Sequence, residues 1–455
     1  MKIKNCCKIQ WVFLTLSFFL YQKASAILPL PVDLWDIAEN DADQITIPEN
    51  TDDPRSIPAY YELYEKGQLR EMELPDFKIQ SDVLGYHEAT FAVPEGLRTR
   101  VDFWKKIYST YTTDQAVIHD SLYPEIIYDV VDISTFTHDK TLSGRALSRK
   151  LSRHLKDRKK SVAELLKQLH GLQSNPLAIT ADGFKIFRQF ENISEPDKFL
   201  TASKRVRTQI GQRDRVVQGF LFGGRYFHRM VEIFEARKLP KELTRLPLVE
   251  SAFNLAARSK VGASGVWQFM RETGKRYMRI DKLIDERNDP IRATAAAASL
   301  LESNYEALGS WPLAITAYNH GREGVARAVR EVATTDLPTI IKVYRGRTFG
   351  FASANFYAEF LAMLEVEKDF RKYFGKVMVD PSLEYVELAL LKPTKLSALA
   401  KYCDISTHDL EVLNPALLDP ITNEKVAVPE GYRLRIFPKN KEKCKTNFKD
   451  GIVDG

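Results

Sequence analysis

The stretch Leu246–Met270, LPLVESAFNLAARSKVGASGVWQFM, decides how this chain reads. It joins an apolar run, one acid, a turn with two glycines and an amide-bearing helix start. Glu250 follows directly on Leu246, Pro247, Leu248 and Val249, and Phe253 comes one helical turn later. A carboxyl among apolar side chains loses hydration, so its charged form is disfavoured and it stays protonated near neutral pH. A general acid needs that state. Gly262 and Gly265 suit positive φ or a close backbone approach. Gln268 supplies an amide that both donates and accepts hydrogen bonds. An acid in such a run also fits a buried structural glutamate, so its neighbours must decide.

Three blocks stand in order: Glu250-Ser251-Ala252-Phe253; then Ser259 with Gly262-Ala263-Ser264-Gly265-Val266-Trp267-Gln268-Phe269-Met270; then Ala317-Tyr318-Asn319-His320-Gly321. Together they resemble the motifs of family 1 lytic murein transglycosylases, nearest the membrane-bound D-type branch. The resemblance implies a lysozyme-like helical SLT domain over residues 225–375. It implies Glu250 as the catalytic residue, acting first as acid and then as base. It implies substrate contacts at Ser259, Gln268, Met270, Tyr318 and Asn319. Singly, each has a plainer reading: a helix cap for Ser259, a surface amide for Gln268, core for Met270, a packed ring for Tyr318 and a helix stop for Asn319. No cofactor or metal is expected, and His320 reads as structural. The other acids near the motif, Glu272, Asp281, Asp285, Glu286 and Asp289, read as solvent-facing or helix-capping.

The chain has 455 residues and net charge +6, enough length for two to four domains. Residues 1–26 read as a secretory signal: Lys2, Lys4 and Lys8, a short apolar core from Ile9 to Leu20, and an Ala24-Ser25-Ala26 cleavage site. Removing this segment, with its four lysines and no acids, lowers the net charge to +2. Nucleic-acid binding therefore gains no support. Cys6 and Cys7 precede the apolar core, so no cysteine stands at the cleavage point to carry a lipid. The expected location is the periplasm of a Gram-negative bacterium, with peripheral association with membrane or wall left open. Cys403 and Cys444 fit no metal spacing, and whether they pair is undecided.

The predicted fold class is mainly α. Residues 27–85 form a Pro- and acid-rich extended lead-in. Residues 86–224 read as a helical region: Val101, Trp104, Ile107, Tyr108 and Tyr111 recur at helical spacing, as do Leu147, Leu151 and Leu155. Basic residues from Arg149 to Lys160 make a cationic face, read as solvated rather than as an anionic-polymer contact. Residues 383–438 follow a β-α-α-β order that resembles a LysM carbohydrate-binding module, without its usual Gly-Asp-Thr-Leu opening. Residues 439–455 read as a polar tail.

The resemblance implies cleavage of the MurNAc-GlcNAc β-1,4 bond of peptidoglycan strands by internal attack, giving 1,6-anhydroMurNAc ends. Two alternatives stand beside it: a goose-type lysozyme-like hydrolase, and an inactive peptidoglycan-binding protein. A second acid facing Glu250 with room for a water between them would favour inverting hydrolysis.

Overall fold

The computed structural model describes residues 90–455 apart from 140, 142–143, 260 and 376–378. The expected signal and the whole of the lead-in lie outside the described residues. No described helix is long and apolar enough to cross a membrane.

Helix α1 (Arg98–Ser109) buries Val101, Trp104, Ile107 and Tyr108, as their spacing predicts. The chain then forms β1 (Gln115–Asp120) and β2 (Ile127–Asp132), followed by the long helix α2 (Gly144–Leu172). After two short helices, α3 (Ala181–Arg188) and α4 (Lys198–Ala202), β3 (Val206–Ile210) returns to complete an antiparallel sheet in the order β2-β1-β3. This sheet corrects the expectation of a wholly helical region over 86–224. Five of the six β1 residues are buried, so the alternation that marks a half-exposed strand is missing. One face of α2, with Leu147, Leu151, Leu155, Val162, Leu166 and Leu169, joins the sheet in a core of its own. The basic residues lie mostly on the exposed side, with Arg158 paired to Asp129.

The main core runs across the expected boundary at 224/225. It holds α1, α5 (Arg213–Gly223), α6 (Phe227–Ala236), α7 (Leu246–Ser251), α8 (Pro290–Leu308), α9 (Trp311–His320), α10 (Arg322–Val332), α11 (Leu337–Val343), α12 (Phe351–Lys368) and α13 (Phe370–Phe374). Pro290 and Pro312 sit in first turns, where a missing N–H costs nothing, and Gly309 ends α8 at φ 71°. Helix α12 is buried nearly all round and packs on α1, α7 and α9. Asn355 on α12 accepts from both Trp104 Nε1 (3.2 Å) and Arg100 Nη1 (3.1 Å), fixing α1 to the domain.

The C-terminal part has the expected order: β4 (Val386–Leu390), α14 (Leu396–Cys403), α15 (Thr407–Leu413) and β5 (Arg433–Ile436), with β4 and β5 antiparallel. The polar tail is corrected. Residues beyond 439 form α16 (Lys441–Asn447) and β6 (Ile452–Asp454), and β6 pairs with the free edge of β4. The tail is polar on average, yet Cys444, Phe448 and Ile452 are buried anchors in the module's core. Cys403 and Cys444 form a disulfide that ties α16 to α14.

Candidate active site

Glu250 lies on α7, whose first turn contains Pro247. The helix stops abruptly. Ala252 (φ 48°) and Phe253 (φ 57°) both take left-handed backbone, rare for residues with a side chain and concentrated at functional sites. Phe253 offsets the strain by burial, stacking on Tyr226 (5.9 Å) and meeting Phe227 edge-on (5.2 Å). The turn passes so close to α5 that a Cβ on Gly219 would lie 2.7 Å from the Ala252 carbonyl. Glycine is therefore required there.

The neighbouring Ser251 bolts the acid's helix to the glycine loop. It is buried, and its hydroxyl donates to the carbonyl of Val266 (2.9 Å) or Pro247 (3.1 Å). Sequence reasoning gave this linking residue no role. Across the loop, Tyr318 OH donates to the carbonyl of Trp267 (2.8 Å), and Trp267 Nε1 donates to Thr294 on α8 (2.9 Å). Tyr318 is further fixed by stacking on Phe356 of α12 (6.4 Å, 4° between ring planes). Helix α7, the loop carrying Gln268, and Tyr318 are thus joined by hydrogen bonds through Ser251, Val266 and Trp267.

Gln268 is not at a helix start. It occupies a turn with φ 47°, and its amide Nε2 donates to the carbonyl of Gly265 (2.7 Å), which leaves the amide oxygen to accept. A short helical turn begins only after Met270, which is 43% exposed. Ser259, half-buried, closes its own turn: its hydroxyl accepts from Ala263 N (3.0 Å). Asn319 is exposed and accepts from Ser353 (3.3 Å), which also meets His320 Nδ1 (3.0 Å). Gly265 is needed at φ 75°, because a Cβ there would stand 1.7 Å from the Arg287 carbonyl.

Glu250 is half-buried and has no hydrogen bond or ion pair among the described residues. Burial alone pushes its carboxyl up to about 8, so it holds its proton at neutral pH. The phenols of Tyr318 and Tyr108 are raised well above the usual tyrosine range, first by burial and then by acidic charge nearby. That charge is Glu250 for Tyr318, and Glu359 and then Glu250 for Tyr108.

Glu359 is the acid that sequence reading missed. It lies on α12, only 3% exposed. Burial, and next the charge of Glu250, raise it well above the ordinary carboxylate range, opposed by Arg207. Its charged form is therefore disfavoured. An enclosed carboxyl in that state is poorly suited to activate water or to attack a sugar as a nucleophile. Of the acids the sequence offered, Asp285 is buried in an ion pair with Arg287, while Asp289 caps α8 by accepting from Ile291 N and Arg292 N. Among the described residues no three His, Cys, Asp or Glu side chains converge on a place for a metal ion. The arrangement offers one reversible proton donor beside a loop of turns, amides and aromatic rings.

Residues 226–340 match the family model described as Transglycosylase SLT domain. Over 199 residues the chain is 27% identical to "Membrane-bound lytic murein transglycosylase D" of Escherichia coli strain K12, with 42% of each chain covered. The protein of the same name from E. coli O6:H1 gives the same figures. A "Putative tributyltin chloride resistance protein" of Alteromonas sp. strain M-1 is 35% identical over 125 residues, 27% of this chain and 60% of that one. The chain spans less than half the length of the first of these relatives. Glu250 and the glycine loop thus lie within the residues that match the Transglycosylase SLT domain model.

Proposed function

We propose that this chain, with its SLT domain, is a peptidoglycan lytic transglycosylase that cleaves the MurNAc-GlcNAc β-1,4 bond without water. The observation that carries the reading is the unpartnered Glu250 carboxyl, held protonated by burial at the head of the glycine loop. Glu250 gives its proton to the leaving glycosidic oxygen as the bond to the anomeric carbon breaks. The resulting carboxylate supports the oxocarbenium-like centre. It then takes the proton from the C6 hydroxyl of the same muramic residue while that oxygen bonds to the anomeric carbon. Atoms and charge balance with one acid, which ends protonated, and the product is a 1,6-anhydro end. Gln268, with Ser259, Met270, Tyr318 and Asn319, forms the substrate-binding set of this proposal.

Glu359 is the one observation that favours a second reading, hydrolysis of the same bond with a second carboxyl engaged. Its enclosure and the disfavouring of its charged form weigh against it. The β-α-α-β module and the leader-like sequence fit a wall-binding protein of the periplasm, and these belong to the same proposal. Mass spectrometry of soluble products from purified sacculi tests it. Anhydro-muropeptides are expected. Reducing-end muropeptides in their place would establish hydrolysis and end the lytic reading.

A further inference from the structure

The segment from Ile280 to Asp289 lies between the substrate loop and the C-terminal module and is bonded to both. On the module side, Asp285 N donates to the carbonyl of Ala416 (2.9 Å) and Leu418 N donates to the carbonyl of Leu283 (3.0 Å), a bridge centred on Ile284 and Leu417. Ile284 is fully buried and belongs to the module's core, among Leu388, Leu399, Leu410 and Leu434. Arg435 of β5 adds an enclosed ion pair, Nη1 to Asp289 Oδ2 at 2.7 Å, and also reaches Glu387 (3.2 Å).

On the loop side, the Asp285 carboxylate holds Arg287 in a two-point grip, Nε–Oδ1 2.9 Å and Nη2–Oδ2 2.7 Å. Such a grip fixes the guanidinium plane as well as its place. Arg287 Nη1 then donates to the carbonyls of Gly262 (2.8 Å) and Phe269 (3.0 Å), at the two ends of the glycine loop. The Ser264 hydroxyl donates to Asn288 Oδ1 (2.8 Å), and Gly265 lies directly against the Arg287 carbonyl. Gln268 stands within this clamped loop.

We infer that the C-terminal module is a structural member of the substrate site, holding the Gly262–Phe269 loop in shape through Asp285 and Arg287 as positioning residues. The module carries Ile284 in its own core, so it fixes the backbone at Asp285. Asp285 orients Arg287, and Arg287 pins both ends of the loop. Truncating the contact frees the loop and weakens substrate binding without touching the proton chemistry at Glu250. What the loop binds rests on the function proposed above; the mechanical linkage does not.

The test uses the full chain with Ile284→Ala, Arg435→Met and the conservative Ile284→Val. Hydrogen exchange without substrate reads the linkage. The amides of Gly262, Ala263, Gly265 and Gln268 are expected to exchange at least about tenfold faster in Ile284→Ala and Arg435→Met, with α12 unchanged and Ile284→Val like wild type. On peptidoglycan strands KM is expected to rise about tenfold with kcat within about twofold. If Ile284→Ala does not fold, Arg435→Met decides. Faster exchange in the module with no change at those four amides overturns the inference. Because exchange is read without substrate, wild-type protein that fails to cleave sacculi would end the lytic reading and leave this result standing.

Discussion

Two glutamates near α7 have opposite surroundings. Glu367 on α12 is buried and gripped by Arg245, whose Nε donates to both of its oxygens at 2.8 and 2.9 Å. Arg245 is itself enclosed, lies 4.2 Å over the Phe227 ring and donates to Thr244. Five residues further on, Glu250 has neither cation nor donor among the described residues. Burial raises both carboxyls, but only at Glu367 does an arginine pull back. The paired acid holds two elements together. The unpaired one favours its neutral form, the state that the proton-donor role proposed above needs.

The widest break in that comparison is Glu250→Gln. It keeps shape and removes the proton, so kcat on peptidoglycan is expected to fall about 10²–10⁴-fold, with sedimentation alongside sacculi retained. Wild-type turnover by this variant would show that Glu250, too, is structural. The complementary break is Arg245→Met, which strands a buried carboxyl. Urea unfolding should show a loss of about 3–5 kcal/mol. A change below about 1 kcal/mol would mean that the pair does not brace the domain.

The smallest effects sharpen the comparison by pH. Activity should decline above about pH 8 as Glu250 loses its proton. The raised native value also sets a stability slope. Unfolded, Glu250 titrates near its ordinary value of about 4.3, so between there and about 8 the folded state binds the extra proton. Stability therefore declines as pH rises through that window, and Glu250→Gln should flatten the slope. Glu359→Gln should leave rate within about threefold and products unchanged, since the amide keeps the shape of an enclosed acid whose charged form is disfavoured. A hundredfold loss in rate would make Glu359 a partner in the chemistry.

Local signals in the sequence carried the helices and the central block. Pro247 and Pro312 sit in first turns, and Gly262 and Gly265 take positive φ, as their residue types suit. What was illegible depends on distant contact. β1 is buried on both faces, so its residues lack a period of two. Glu359 stands in the apolar run Phe356–Leu364, where nothing local distinguishes a helix-face acid from one facing α7. Ser251 takes its meaning from Val266, and Arg287 from Gly262 and from a module that begins far downstream. In the tail, lysines outnumber the three side chains that seat it.

The shortest strand among the described residues has a practical consequence. β6 contributes three residues, and they alone occupy one flank of β4. Shaving off Ile452–Asp454 would bare a row of backbone donors and acceptors ready to recruit the same strand from another copy, a known route to aggregation. An affinity handle or reporter placed after Asp454 is best spaced by a flexible polar linker, so that Ile452–Asp454 still lie down as a strip along the sheet.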